Sequence, residues 1–353
     1  MISYPFRPRP DLVAEPNREA AIELRWGPVK LAGRNVPLLA ALAALLAVYA
    51  GAALSYWDQG FADPGVALNL LTDNAVLGVT AVGMSFVILS GGIDLSVGAV
   101  MGLSSILMGV LIMDRGWNVY PAIAATLAIG ALVGSTMGAV IQFSGLRPFI
   151  VTLAGMFFVR GLAFLVHLES IGINDAGHAA IANVGIPVPW AGTLSISAIV
   201  LLGVVALAWY ILTLTPLGRN VYAVGGSEES AVLMGLPVAR TKIVVYAISG
   251  LCASLAGVLL TFYLSGGNHS DGVGLELDAI AAVVIGGTLL CGGVGSVLGT
   301  LVGVLIIGII QLVITTYDTH QLSSGLTRVA IGGMLLSFVL LQRLVVRGAG
   351  GRG

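Results

Sequence analysis

Runs of about 20 apolar residues recur along this chain, separated by short polar breaks. Each is long enough to cross the hydrocarbon core of a bilayer as a helix. In lipid every backbone N–H and C=O must find its partner inside the protein, and a helix achieves this within a single segment. Ten such segments are predicted, at approximately 36–56, 67–90, 95–113, 119–143, 148–167, 194–213, 242–263, 278–291, 294–315 and 326–342. The eighth is short. With the ninth it reads as a hairpin around CGGVGS at 291–296, or as a broken or re-entrant helix. Only 9% of residues are charged, against about 25% in soluble domains. A surface so poor in charge needs lipid as its solvent. The expected fold class is an all-α polytopic membrane protein of about ten transmembrane helices, one of them short or broken.

Basic residues set the expected orientation. With the N-terminus inside and ten spans, the inner segments hold Arg7, Arg9, Arg18, Arg25, Lys30 and Arg34, then Arg147, then Arg219, Arg240 and Lys242, then Arg343, Arg347 and Arg352. These are 13 of the 16 basic residues in the chain. The outer loops 168–193, 264–277 and 316–325 hold none. Both termini are therefore expected in the cytoplasm; eight spans plus two re-entrant pieces give the same sidedness. Residues 1–35 read as a flexible cytoplasmic tail with a short helix around 18–26, residues 36–342 as the transmembrane domain, and 343–353 as a cytoplasmic C-terminal tail. The N-terminal tail has no apolar h-region and does not read as a signal peptide. Its charges of both signs give no nucleic-acid character.

Glycine, 49 residues in all, recurs at small-residue spacing, as in Gly91, Gly98, Gly102 and Gly109, or Gly295, Gly299 and Gly303. Such stripes let helix backbones approach closely in lipid. One pattern occurs twice: Gly91 and Gly92 followed by Gly98, and Gly292 and Gly293 followed by Gly299. In a glycine-rich chain, coincidence accounts for this as well as an internal repeat does. Cys252 and Cys291 both read as small buried hydrophobes. The four histidines are scattered, and no metal-ligand spacing is visible.

Three features point toward function. The inner loop 214–241 contains a short, separately capped helix: Ser227 as N-cap, Glu228 and Glu229 in the first turn, Gly235 as terminator and Pro237 beyond it. Its apolar residues Ala231, Val232, Leu233 and Met234 call for a partner surface or for lipid headgroups. Asp94 stands in an apolar stretch of about 45 residues, where a carboxylate costs roughly 2.5–3.5 kcal/mol on insertion scales. It caps the third helix with help from Ser96, or it has a functional role. Polar residues within or beside the spans form a candidate substrate path: Asn69, Asp73, Asn74, Thr80, Ser85, Arg160, Glu276 and Asp278. Hydroxyls and amides suit a neutral polyol or sugar, and each such residue could equally satisfy a neighbouring helix. There is no GxxxxGK[ST] and hence no P-loop. No catalytic constellation stands out, and no chain of membrane carboxylates suggests a proton relay. Energy for transport is expected from another subunit, and no cofactor is expected in this chain.

At these residues the sequence resembles the permease subunits of bacterial ATP-binding-cassette (ABC) importers for monosaccharides, the family of the ribose, xylose and arabinose permeases. AVGMSFVILSGGIDLSVGAVMG, LGRNVYAVGG with the following SAVLMGL, and LELDAIAAVVIGGTLLCGGVGSVLGT carry the likeness, which runs from about 69 to 341. Within the family it is most similar to a galactofuranose importer permease, through LTDNAVLGVTAVGM, TLAGMFFVRGLAFLV and ESI at 169–171. The resemblance implies that the inner loop docks an ABC ATPase subunit, which uses ATP and magnesium, with Gly225, Gly226, Ser227, Glu228, Glu229, Ala231 and Gly235 at the contact. Ser227 stands where the family usually has Asn, and both are good N-caps. The resemblance further implies a second permease subunit (the same chain or a related one), a periplasmic sugar-binding protein at the outer loops, and a multi-pass location in the bacterial inner membrane. The rival readings are a branched-chain amino acid permease of the same class and a channel or carrier that works alone.

Overall fold

The computed structural model describes residues 36–57, 60–61 and 63–317, together with 325, 329, 331–334 and 336–337. The tail 1–35, the residues 343–353 and most of the tenth predicted segment lie outside the described residues. Those of the tenth that are described, 329, 331–334 and 336–337, are helical.

The long helices are α1 (Val36–Ser55), α4 (Val97–Gly109, extended by a π-helical turn at Val110–Asp114), α5 (Val119–Ser144), α6 (Pro148–Val166), α8 (Ile196–Leu214), α11 (Val238–Leu264) and α13 (Val297–Tyr317). Among the described residues these seven are long and apolar enough to cross a membrane. An eighth crossing is formed by α2 (Pro64–Asp73) and α3 (Ala75–Leu89) as a bent pair. The sequence predicts this pair as one segment. It bends by 58° at Asn74. At the break the Leu70 carbonyl accepts from both the backbone N–H of Asn74, at 3.2 Å, and its side-chain amide, at 2.8 Å. Asn74 is itself buried against Gly308 of α13, a contact that sequence spacing does not reveal.

The core forms where α3 is enclosed by α8, α11, α12 (Leu275–Ile285) and α13. Fourteen of the residues of α3 are buried, so it is a central post without a lipid-facing side. Ser85 of α3 and Thr300 of α13 share a hydrogen bond of 2.7 Å, and both are fully buried. Glycines set the closest approaches. Gly134 of α5 lies against the Tyr246 carbonyl of α11, and Gly299 and Gly303 of α13 lie against Gly286 and Ala282. Of the stripe at 295–303, Gly299 and Gly303 pack backbone on backbone as predicted, whereas Gly295 precedes α13 and meets the Thr288 side chain.

Three short helices and two small sheets complete the described structure. At one end of the bundle sit α7 (Ala176–Ala182), the hairpin of β2 (Gly185–Val188) and β3 (Gly192–Ser195), and the pairing of β1 (Ile171–Gly172) with β4 (Gly266–Gly267). At the other end sit α9 (Pro216–Gly226) and α10 (Glu228–Leu233). One expectation is corrected here. Cys252 is buried, but Cys291 is exposed, because α12 stops at Ile285 and leaves position 291 in a loop.

Candidate functional site

The stretch expected as the outer loop 264–277 instead enters the bundle, and the eighth predicted segment follows it as the short helix α12. After α11 the chain reverses and runs back along α4 without forming a helix. Gly267 lies against the Ser105 carbonyl, the Asp271 carbonyl against Gly102, and the Gly272 carbonyl against Gly98. Only then does α12 begin. Gly98 sits between the levels of Asp94, bonded to Ser249, and Met101, packed on Gly257. By helical rise that is about 15 Å from the α7 end of α11. Gly98 and Gly102 therefore form the seat of a non-helical segment deep in the bundle, a role that the small-residue pattern alone did not specify.

Backbone at that depth needs internal partners, and side chains supply them. The Arg160 guanidinium of α6 donates from Nη1 to the carbonyls of His269 and Asp271, each at 2.7 Å. The Asp271 carboxylate accepts from Ser105 Oγ at 2.5 Å and from the Asn268 N–H at 3.1 Å. Asn268 Oδ1 accepts from the Ser270 N–H at 2.7 Å. Glu276 takes the Gly274 N–H at 3.3 Å and faces Gly98. The carboxylates of Glu276 and Asp271 interact electrostatically with Arg160. His269 stacks on Phe164 with ring centroids 4.0 Å apart. Glu276 and Asp278 occupy the first turn of α12, where the helix dipole favours acidic groups.

Arg160 and Glu276 of the candidate path are thus brought together, and Asp278 stands one half-turn on. The others lie elsewhere. Thr80 donates to Val76 and is fully buried, Ser85 bonds Thr300, and Asn74 sits at the α2–α3 bend. Asn69 is exposed on α2. Asp73, also exposed, is within reach of Tyr263 at the end of α11. The sequence reading missed Ser105, Asn268, His269 and Asp271, whose roles depend on the chain reversal after α11. A cavity of about 270 Å³ between α1, α2 and α13 is lined by apolar residues such as Leu45, Tyr49, Leu70 and Ile309, and it offers a polyol little to bond.

Asp94 is 1% exposed. Its Oδ1 accepts from the Ser96 N–H at 2.9 Å and Ser96 Oγ at 2.6 Å, and its Oδ2 accepts from Ser249 Oγ at 2.7 Å. Ser96, not Asp94, occupies the N-cap position of α4 and makes no side-chain cap bond there. Asp94 instead fixes the turn before α4 and ties it to α11.

At the other end, the short helix forms as its sequence signals predict. Ser227 Oγ accepts from the Ser230 N–H at 3.2 Å, and Glu228 and Glu229 fill the first turn. Gly235 adopts φ of 74°, and the Leu236 N–H returns to the Ala231 carbonyl at 3.0 Å. Ala231 is buried against Val224 and Val238. Val232, Leu233 and Met234 are 58%, 88% and 66% exposed, an apolar edge that the chain itself leaves uncovered. Lys242 pairs with Glu228 at 2.6 Å. The preceding helix α9 was read as loop. Its signals are Thr215 at the N-cap and Pro216 at the first position, with Thr215 Oγ1 accepting from the Gly218 N–H. The two doubled glycine patterns also meet at this end: Gly292 packs on Gly91, and the Gly293 N–H donates to the Leu89 carbonyl at 2.9 Å.

His178 of α7 is 1% exposed, with Nε2 3.2 Å from Thr261 Oγ1 and its ring against Phe262. Burial pushes its pKa below the ordinary value, an effect the Asp175 carboxylate partly offsets. The folded state then binds fewer protons at this site than the unfolded chain. Stability is full above the unfolded value of about 6.5 and is lost as pH falls through and below it. The thermal midpoint in detergent is expected to drop between pH 7.5 and 5, and less so for His178→Gln. A single proton limits the difference in slope to about 1.4 kcal/mol per pH unit. Identical profiles for the two proteins would count against this role of His178.

Comparison with known proteins follows this geometry. The family model described as "Branched-chain amino acid transport system / permease component" matches residues 66–341. The chain is 44% identical over 310 residues to the inner membrane ABC transporter permease protein YjfF of Escherichia coli K12, covering 88% of this chain and 92% of that one. It is 36% identical over 326 residues to the fructose import permease protein FruG of Bifidobacterium longum, covering 90% and 93%. It is 40% identical over 299 residues to the ribose import permease protein RbsC of Bacillus subtilis, covering 82% and 88%. No solved structure matches the chain. A match across most of the chain, on a bundle of apolar helices, shows that this is a multi-pass inner-membrane protein and that it belongs to this permease family.

Proposed function

We propose that this chain is the membrane pathway of an ABC importer for a monosaccharide, powered by a separate ATPase subunit that uses ATP and magnesium. The observation that carries the reading is α10. It is a separately capped helix at the end of the bundle, seated by Ala231, with Val232, Leu233 and Met234 exposed and uncovered. Such an edge suits a groove on a partner protein. On this reading the loop 214–241 faces the cytoplasm, as the positive charges of Arg219, Arg240 and Lys242 favour, and both termini share that side of a ten-span topology. The loops around α7 and the β2–β3 hairpin then receive substrate from a periplasmic binding protein. A second permease subunit, this chain or a related one, completes the path.

Two of the relatives are named for the import of ribose and of fructose. This supports a sugar over the amino acid in the family description. Galactofuranose is our choice within the class, on the likeness of the stretches 71–84 and 152–166. Uptake by a deletion strain on single carbon sources separates the sugar from a branched-chain amino acid.

The docking claim is tested with Leu233→Asp combined with Met234→Asp. Both side chains are exposed, so folding and membrane insertion are expected to stay intact. Co-purification of the ATPase subunit is expected to fall by more than about tenfold, the scale of losing an apolar anchor. Undiminished co-purification and uptake would remove α10 as the docking element. Uptake by the purified chain alone in liposomes without ATP would favour a stand-alone carrier.

A further inference from the structure

Between α10 and the deep segment lies a place where three stretches of backbone touch with no side chains between them. Gly225, at the end of α9, lies so close to the Leu89 carbonyl at the end of α3 that a Cβ there would overlap it, and that Cβ would sit 2.7 Å from the Gly293 nitrogen. A Cβ on Gly292 would stand 2.8 Å from the Gly91 nitrogen and 3.0 Å from the Gly225 carbonyl oxygen. The Gly293 N–H to Leu89 hydrogen bond pins the same point. One turn earlier on α9, Tyr222 donates to the Gly295 carbonyl at 3.0 Å.

We propose that this glycine junction is the transmission point of the transporter, with Gly225 and Tyr222 as positioning residues that pass displacement of α10 to α3 and to the loop 286–296. The inference rests on the docking role of α10. Only Ser227 separates α9 from α10, and Val224, Ala231 and Val238 pack the two helices together. Side chains at a contact absorb small shifts by changing rotamer, whereas backbone packed on backbone does not. From the junction, α12 leads straight to Glu276 and the seat on Gly98. At about 1.5 Å per residue its 11 residues span roughly 16 Å. The route joins the docking helix to the deep segment through one short rigid element.

The test follows the far end of the route and needs no identified substrate. Val273 of the deep segment is 68% exposed. Val273→Cys in a Cys291→Ser background gives a single reactive thiol, since Cys252 is buried. The permease–ATPase complex is labelled with N-ethylmaleimide, with and without ATP and vanadate. In that parent the nucleotide is expected to change the labelling rate by about fivefold or more, the scale of coupling between linked sites. Adding Gly225→Ala is expected to abolish the change, read on the fraction of permease that co-purifies with the ATPase. Gly203→Ala, on α8 away from the junction, has a Cβ that meets nothing within 4 Å and is expected to keep it. Tyr222→Phe adds no bulk and is expected to reduce it, so the proposal stays testable if Gly225→Ala does not fold. A nucleotide response in Gly225→Ala or Tyr222→Phe equal to the parent's overturns the proposal, as does a parent without any response. Loss of ATPase from the parent complex would instead strike the docking reading.

Discussion

Replacing Arg160 with alanine is expected to abolish uptake. The two hydrogen bonds from its guanidinium are what hold the carbonyls of His269 and Asp271 in a non-helical stretch deep in the bundle. Each buried carbonyl left unpaired costs about 1–3 kcal/mol. The carboxylates of Asp271 and Glu276 also lose their nearby positive charge. The segment then keeps its seat on Gly98 and Gly102 only through Ser105, the β1–β4 pairing and packing. Arg160→Lys retains the charge, and its ammonium can donate to both carbonyls as the single Nη1 does, but on a shorter side chain with a differently shaped head; its uptake is expected to be intermediate. Uptake in a strain lacking the native gene, normalised to membrane-inserted protein, measures both. Alanine transporting at the parent rate would show that the segment holds its place by packing alone.

The second large effect is expected at Asp94. Asp94→Ala leaves the Ser96 N–H, the Ser96 hydroxyl and the Ser249 hydroxyl without their shared acceptor in a dry interior. Removing one partner of a buried charged network costs about 3–5 kcal/mol, enough to deplete the folded protein. Asp94→Asn is milder. Its amide oxygen still accepts from Ser96, and its amide nitrogen donates to Ser249 Oγ, since a hydroxyl serves in either role. The thermal midpoint of the solubilised protein is expected to fall steeply for alanine and only slightly for asparagine, whose loss of stability is about 1 kcal/mol. If asparagine is stable yet does not transport, the negative charge has a role beyond anchoring.

What was legible in the sequence is what local chemistry decides. The spans follow from runs of apolar residues. Helix α10 follows from Ser227, Glu228, Glu229 and Gly235, all within one short stretch. What was not legible depends on distant neighbours. The bend at Asn74 is set against Gly308 of α13. The seat for the deep segment needs Gly98 and Gly102 on one element, Arg160 on a second and Asp271 on a third. The doubled glycine pattern had a physical basis that spacing hid, because its two copies touch each other and Gly225 as well. Helix α9 was the avoidable miss, since Thr215 and Pro216 marked its start.

The seat on α4 also inverts the usual rule for residues in a bilayer. Lipid favours leucine and rejects charge, so substitutions in such helices are commonly ranked by polarity. At Gly98 and Gly102 the neighbour is a carbonyl-lined strand of the same chain, with no space for even a methyl group. Volume decides there: a leucine, harmless by hydropathy, is as unwelcome as an aspartate.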